Sequence, residues 1–329
     1  MDRSITSSDG IIVETSGSEG QPKPVLLSFA MLRASAALGE VAEKLQAGDR
    51  WLNCLPMHHV GGLAIAYRCE RAGAAMRLLS RFDPAQLLEI LHDEPITHLS
   101  LVPVMLSKLL QQAAGRPPPA SLKLVLMGGD RLPKAVATQA VEQGWPIAVS
   151  YGMTETASRI TLLPLNRENI EQWDSSDVGP PLPGVQLTIS ETGAVVITSP
   201  ALFPQVPHQH ITQDRGWIDE RGHLHLQGRL DHQILSGGLL ISPLAVEECL
   251  LQHPAIDAVG VAGRKDDEWG EVVVAVVTIP ITAELEAWIQ EQLPSEQRPR
   301  ALQQVGELQR TANGKIDRKW LREVVNHVE

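Results

Sequence analysis

Hydrophobic and polar positions along this chain alternate in three textures. From residue 10 to about 150, short β-branched or apolar runs take turns with longer segments of helical period, the pattern of crossover units around a largely parallel sheet. The runs predict strands at Gly10–Thr15, Trp51–Leu55, Met76–Leu79, Thr97–Val102, Lys123–Met127 and Ile147–Ser150. Between them the spacing predicts helices over Leu27–Gln46, Pro84–His92, Pro103–Ala114 and Pro133–Gln143, several opened by proline, whose missing N–H and fixed φ suit a first helical turn. After about Asp177 the runs shorten and turn residues separate them. Val185–Ser190, Ala194–Thr198 and a hairpin over Trp217–Gln227 suggest a small antiparallel subdomain. From Arg229 a third texture predicts a separate α+β domain, with helices at Pro243–Gln252, Glu284–Gln292 and after Ile316, and strands at Ala258–Ala262 and Val272–Ile279. The expected fold is therefore a large N-terminal α/β domain with a small antiparallel β subdomain over residues 1–228, plus a smaller mobile α+β domain over 229–329.

Composition narrows the class. A chain of 329 residues, 43% hydrophobic, can bury a sizeable core. A net charge of −11 without Lys/Arg runs argues against nucleic acid as a partner, since phosphate backbones need a basic surface. Cys54, Cys69 and Cys249 show no paired spacing that would suggest zinc or a disulfide framework, so a reducing compartment, the cytoplasm, is expected. No apolar run reaches the roughly 18 residues of a membrane span.

Four segments carry candidate chemistry. Thr15-Ser16-Gly17-Ser18-Glu19-Gly20-Gln21-Pro22-Lys23 is a small, hydroxyl-rich loop read as lying between a strand and a helix. Small residues let backbone N–H groups approach phosphate, and Lys23 adds positive charge, although the spacing is not that of a P-loop. Ser150-Tyr151-Gly152-Met153-Thr154-Glu155-Thr156 follows a strand, and offers a ring for a base, hydroxyls for phosphate and a carboxylate for Mg²⁺; a capped helix start is the plainer alternative. Thr212-Gln213-Asp214 and Gly228-Arg229-Leu230-Asp231 supply an Asp for ribose hydroxyls and an Arg to share that load. Arg310 to Arg318 contains an Asn313-Gly314 turn that presents Lys315.

The order and spacing of these segments resemble the adenylate-forming acyl/aryl-CoA ligases and their luciferase and peptide-synthetase relatives, over nearly the whole chain. The resemblance implies that Thr15, Ser16, Gly17, Ser18, Gly20 and Lys23 hold the ATP phosphates. It assigns Tyr151, Gly152, Gly128 and Gly129 to the adenine and acyl side, Thr154 and Glu155 to catalysis with Glu155 on Mg²⁺, and Asp214 and Arg229 to the ribose. Lys315 becomes the adenylation lysine and Asp231 the hinge. Within the superfamily, Leu55-Pro56-Met57-His58-His59-Val60-Gly61-Gly62 followed by Arg68 looks most like the o-succinylbenzoate-CoA ligases of menaquinone and phylloquinone synthesis. That places His59 and Gly129 beside the acyl group and Arg68 against a second substrate carboxylate; a core histidine and a helix-surface charge are the plainer alternatives. Cofactors implied are ATP, Mg²⁺ and CoA as co-substrate. The partners are a small carboxylic acid, ATP and CoA, with homo-oligomerisation left open. Other aryl- or acyl-CoA ligases, carrier-protein-loading enzymes and a non-catalytic nucleotide-binding protein are the rival functions. The chain departs from the family pattern at Glu19, Asp130 and Gln213, and lacks the long segment that members carry before the phosphate loop.

Overall fold

A computed structural model describes residues 10–16, 22–202, 209–311 and 315–327, and in it the chain forms two compact units. The first is built from Pro22–Thr212 and Trp217–His225 with the strand that precedes them, the second mainly from Gln213–Gly216 and Leu226–Glu329.

The first unit centres on a six-stranded sheet. Its strands are β3 (Arg50–Asn53), β4 (Ala75–Leu78), β5 (His98–Leu101), β6 (Leu124–Met127), β7 (Ile147–Val149) and β10 (Leu163–Pro164), ordered β10-β7-β6-β5-β3-β4. All pair in parallel except β10, which runs antiparallel along β7. Every residue of β5, β6 and β7 is buried, and burial on both faces explains why β6 and β7 read as unbroken apolar runs, while β5 buries His98 and Ser100 within its strand. Helices α3 (Pro84–Asp93), α4 (Pro103–Ala113) and α5 (Lys134–Glu142) share one core with the sheet, through Leu87, Leu91, Leu106, Leu109, Ala137 and Val141 against Leu99, Val125 and Ile147. Asp83 caps α3 by accepting from the backbone N–H of Ala85 and Gln86, with Pro84 at the first helical position.

Two elements depart from the sequence expectation. The strand at residue 10 does not join the parallel sheet: β1 (Gly10–Ser16) pairs antiparallel with β2 (Pro22–Ser28), Ser16 opposite Pro22. The residues after β1 therefore lead into a second strand, and helix α1 (Phe29–Glu43) begins only after β2, capped by Ser28. A further helix, α2 (Val60–Ala72), which is not among the predicted ones, follows the His58–His59 motif, with Gly73 ending it at φ 66°. Helices α1 and α2 meet the β1–β2 ribbon in a separate core of Val13, Leu27, Met31, Leu32 and Leu63. After the short hairpin β8 (Gly152–Met153) and β9 (Ser158–Arg159) comes a four-stranded sheet, β11 (Gln186–Ile189), β12 (Ala194–Thr198), β13 (Gln209–Ile218) and β14 (Leu224–Arg229), in chain order.

In the second unit a five-stranded sheet carries three helices: α6 (Pro243–Leu250), α7 (Ala283–Gln292) and α8 (Arg318–Asn326). Its central strand β18 (Gly270–Val277) lies between β17 (Val259–Asp266) on one side and β15 (Ile234–Ser236) with β19 (Ala301–Gln304) on the other; β16 (Leu239–Ile241) borders β15. Val272 to Val277 are all buried, because α6 and α7 cover one face of β18 and α8 the other.

Candidate functional site

Gly128, Gly129 and the Ser150–Thr156 segment sit where two of the parallel strands end. Gly128 and Gly129 follow β6, and Ser150 follows β7; the Ser150 hydroxyl donates to the Met127 carbonyl at 2.8 Å, tying the two strand ends together. A Cβ on Gly128 would stand 3.3 Å from that hydroxyl, while Gly129 holds φ 84°, a left-handed conformation that favours glycine. The carboxyl ends of parallel strands are where ligands bind in open α/β sheets.

Ser150 to Thr156 does not open a helix. The segment instead crosses into β8, turns, and returns as β9, with Gly152 opposite Arg159. Thr156 locks this turn: its hydroxyl donates to the Ser158 carbonyl at 2.6 Å and accepts from the Met153 N–H at 3.1 Å. Tyr151 is buried, and its N–H donates to the Thr161 hydroxyl at 2.9 Å. Gly152 is required here because a Cβ would collide with the Ser158 carbonyl and the Arg159 Cα, both backbone atoms that cannot step aside. Thr154 and Glu155 occupy the turn itself, half-buried. Mg²⁺ typically takes one or two protein carboxylates plus substrate phosphates, so a single carboxylate beside hydroxyls fits that ion. Among the described residues no cluster of three or more His, Cys, Asp or Glu side chains could hold a metal without such help.

Asn53, fully buried at the end of β3, organises the His58–His59 segment. Its amide donates to the Gly62 carbonyl at 3.1 Å and its oxygen accepts from the Leu55 N–H at 3.0 Å. Gly62 cannot carry a side chain, since a Cβ would overlap the Pro56 carbonyl. His59 is the N-cap residue of α2, its ring 4.3 Å from that of His58.

Arg68 is neither on a helix surface nor solvated. It is 3% exposed on the inner side of α2, with its Nε 3.4 Å from a Glu43 carboxylate oxygen, its Nη2 donating to the Ser158 hydroxyl at 2.9 Å, and its guanidinium 5.6 Å from the centre of the Trp51 ring. Arg159 reaches the same Glu43 oxygen. Asn53, Thr161, Glu43 and Arg159 were not singled out from sequence.

The residues expected to form a phosphate loop fall only partly within the described chain. Thr15 and Ser16 are the last backbone positions of β1, Lys23 pairs with Thr15 across the ribbon, and Gly17, Ser18 and Gly20 lie outside the described residues. In the second unit, Arg229 forks onto Asp231, Nε to Oδ1 at 2.8 Å and Nη2 to Oδ2 at 2.7 Å, while Asp214 stands 3.8 Å from its Nη1. Lys315 is exposed; its carbonyl accepts from the Thr311 N–H at 2.8 Å, next to the Arg310–Ile316 bridge. Asn313 and Gly314 lie outside the described residues. Directly beyond, Asp317 caps α8 and Arg318 grips Glu247 of α6 at 2.5 and 2.8 Å. No helix of the described chain is long and apolar enough to cross a membrane.

Residues 11–203 match the model of the AMP-binding enzyme family and residues 245–315 that of the AMP-binding enzyme C-terminal domain. The chain is 33% identical to the 2-succinylbenzoate–CoA ligase of Bacillus cereus (strain ATCC 14579), over 96% of its own length and 70% of that protein. It is 31% identical to the ligase of the same name from Bacillus cytotoxicus, over 95% and 70%. Its fold matches the o-succinylbenzoate coenzyme A synthetase of Bacillus subtilis in complex with ATP and magnesium ion with a TM-score of 0.86, at 29% identity over 94% of this chain and 69% of that one. It also matches ATP-bound MatB from Rhodopseudomonas palustris with a TM-score of 0.85, at 26% identity over 96% and 68%. With two family models matched in order and relatives above 30% identity along almost all of its length, this chain belongs to the AMP-binding enzyme family.

Proposed function

We propose that this AMP-forming acid–CoA ligase takes o-succinylbenzoate as its acid. The reaction runs in two halves: carboxylate and ATP give acyl-AMP and pyrophosphate, then acyl-AMP and CoA give acyl-CoA and AMP. The observation that carries the choice of acid is the identity of 33% to a 2-succinylbenzoate–CoA ligase over 96% of the chain. The solved synthetase from Bacillus subtilis in complex with the acyl-adenylate OSB-AMP, with a TM-score of 0.86, supports the same intermediate here.

On this reading the protein's work is chiefly electrostatic. The attacking carboxylate is already ionised near pH 7, so no base is needed. Mg²⁺ at Glu155 neutralises phosphate charge when bound. Thr15, Ser16, Gly17, Ser18, Gly20 and Lys23 cradle the phosphates, and Lys315 meets the charge that builds on the α-phosphate. Tyr151, Gly152, Gly128 and Gly129 flank the adenine, Asp214 and Arg229 take the ribose, and His59 lies beside the acyl chain. Arg68 pairs with the carboxylate that does not react, its buried surroundings strengthening a charge-assisted bond. Rotation of the 229–329 segment about Asp231 separates the two half-reactions.

AMP formation by the full chain, with acid, ATP, Mg²⁺ and CoA omitted in turn, tests the reading, and Arg68→Ala should cost a dicarboxylic aryl acid at least about tenfold more than a monocarboxylic analogue. Equal losses would remove Arg68 from the acid site. A second reading, another acid of the same superfamily, is favoured by the near-equal fold match to MatB, and a screen of acids by pyrophosphate release separates the two.

A further inference from the structure

Glu43, Arg68 and Arg159 are the first unit's most unusual polar group. All three are buried, and they come from three elements: the last turn of α1, the inner face of α2 and strand β9. The charges do not balance. One carboxylate oxygen of Glu43 is in ion-pair range of both guanidiniums, and among the described residues neither arginine has another carboxylate within reach. Among the described residues, Nε of Arg68 and Nε and Nη1 of Arg159 lack a hydrogen-bond acceptor, while Nη2 of Arg159 meets only Glu43. His98, whose ring contacts the Glu43 carbonyl at 3.1 Å, adds no charge, because burial lowers its pKa. Burial also pulls Arg159 down to about 9, helped by repulsion from Arg68 and opposed by Glu43, which leaves it charged at neutral pH.

A surplus buried guanidinium is costly unless an anion meets it. The fold nevertheless makes room for it. Ser35, Gly39 and Glu43 follow one another at four-residue spacing on α1, and a Cβ at Gly39 would overlap the Arg159 guanidinium. Helix α1 thus gives up a side chain where Arg159 lies.

We propose that Arg159 is a specificity-determining residue that takes up the charge of Glu43, so that one full positive charge, presented by Arg68, remains to receive the second carboxylate of the acid. This rests on the dicarboxylate reading above. Arg159 and Glu43 act as positioning residues: Glu43 holds both guanidiniums, and Arg159 prevents Glu43 from cancelling Arg68. A dianionic acid brings the missing charge, and a monocarboxylic acid does not.

The proposal turns on net charge, which three variants of the full chain separate. The readout is the ratio of kcat/KM for o-succinylbenzoate to that for an analogue lacking the non-reacting carboxylate. Arg159→Gln brings the group to neutrality and should lower that ratio by about tenfold or more, mainly through KM for the dicarboxylic acid. Arg159→Lys keeps the charge and should stay within about threefold of wild type. Glu43→Gln combined with Arg159→Gln restores the single positive charge and should recover the ratio to within about threefold. A ratio unmoved by Arg159→Gln in a folded protein overturns the proposal. So does a folded double variant below a tenth of the wild-type ratio, and Arg159→Lys, which keeps every charge in place, gives a further test where a neutral variant fails to fold: a ratio below a tenth of wild type for it also overturns the proposal. Wild-type protein that shows no preference for the dicarboxylic acid sinks the function reading itself, whereas a wild-type preference that Arg159→Gln leaves intact sinks only the role of Arg159.

Discussion

Arg318→Ala should unfold the second unit at markedly lower temperature. Glu247 is 4% exposed on α6, and its carboxylate depends on three donors: two from the Arg318 guanidinium, at 2.5 and 2.8 Å, and the Val261 N–H at 2.7 Å. Removing the guanidinium leaves a carboxylate inside the protein with one backbone donor. Breaking a buried pair from one side typically costs about 3–5 kcal/mol. Because Arg318 is itself 27% exposed, water can reach the vacated place, and the lower end, about 3 kcal/mol, is expected. For a unit of about a hundred residues that amounts to a fall of roughly 10–20 °C in its transition. Scanning calorimetry of the full chain reads this directly. Arg318→Lys keeps the charge but loses the fork and should fall between. Replacing both partners, Arg318→Met with Glu247→Leu, should recover most of the loss, since no charge is then stranded. A change under about 2 °C for Arg318→Ala would mean that Glu247 is well solvated and that the bridge does not hold α6, β17 and α8 together.

Lys315→Ala should slow acyl-adenylate formation by about 10²–10³ while sparing conversion of supplied acyl-adenylate to acyl-CoA, because charge builds on the α-phosphate only in the first step; a few-fold loss in both, measured separately, would make Lys315 an ordinary solvated lysine. Asp231→Pro fixes φ near −65° and should trap one arrangement, slowing one half-reaction far more than the other; equal slowing of both is the result that discards the hinge. Burial lowers His232 to about 4 in the folded chain, whereas the unfolded chain takes up its proton near about 6.5. The unfolded state then binds more protons in that interval, so stability should fall as pH drops from about 6.5 towards 4 and level off below. Urea unfolding across that range should show a shallower slope for His232→Gln, and identical slopes would refute the assignment.

How much of this could be read from sequence depended on which forces left a local trace. Strands β6 and β7 were legible because burial on both faces forces unbroken apolar runs, and α3 and α4 because Pro84 and Pro103 mark their first turns. Strand β2 was hidden by Pro22 and Pro24, which read as a loop but are tolerated in a two-stranded ribbon. Gly61 and Gly62 concealed the start of α2, for the second is demanded by the Pro56 carbonyl rather than by a turn. The four motif segments were visible because each lies close together in sequence. The Glu43–Arg68–Arg159 group was not, since its members are brought together only by packing; the four-residue spacing of Ser35, Gly39 and Glu43 along α1 was the one available sign.

The two-residue strands β8 and β9 have a thermodynamic consequence. Gly152 belongs to the segment assigned to the nucleotide and Arg159 to the group assigned to the acid, yet they are cross-strand partners in backbone contact so close that no Cβ fits between them. Fixing one strand of so small a ribbon fixes the other, so on these assignments the ordering cost would be met once, by whichever substrate arrives first. Linkage makes the gain mutual: the factor by which bound nucleotide tightens the acid must equal the factor by which bound acid tightens the nucleotide. On these assignments, loading of the two substrates is a single event distributed over two encounters, and a side chain at residue 152 should uncouple it by forcing the two strands apart.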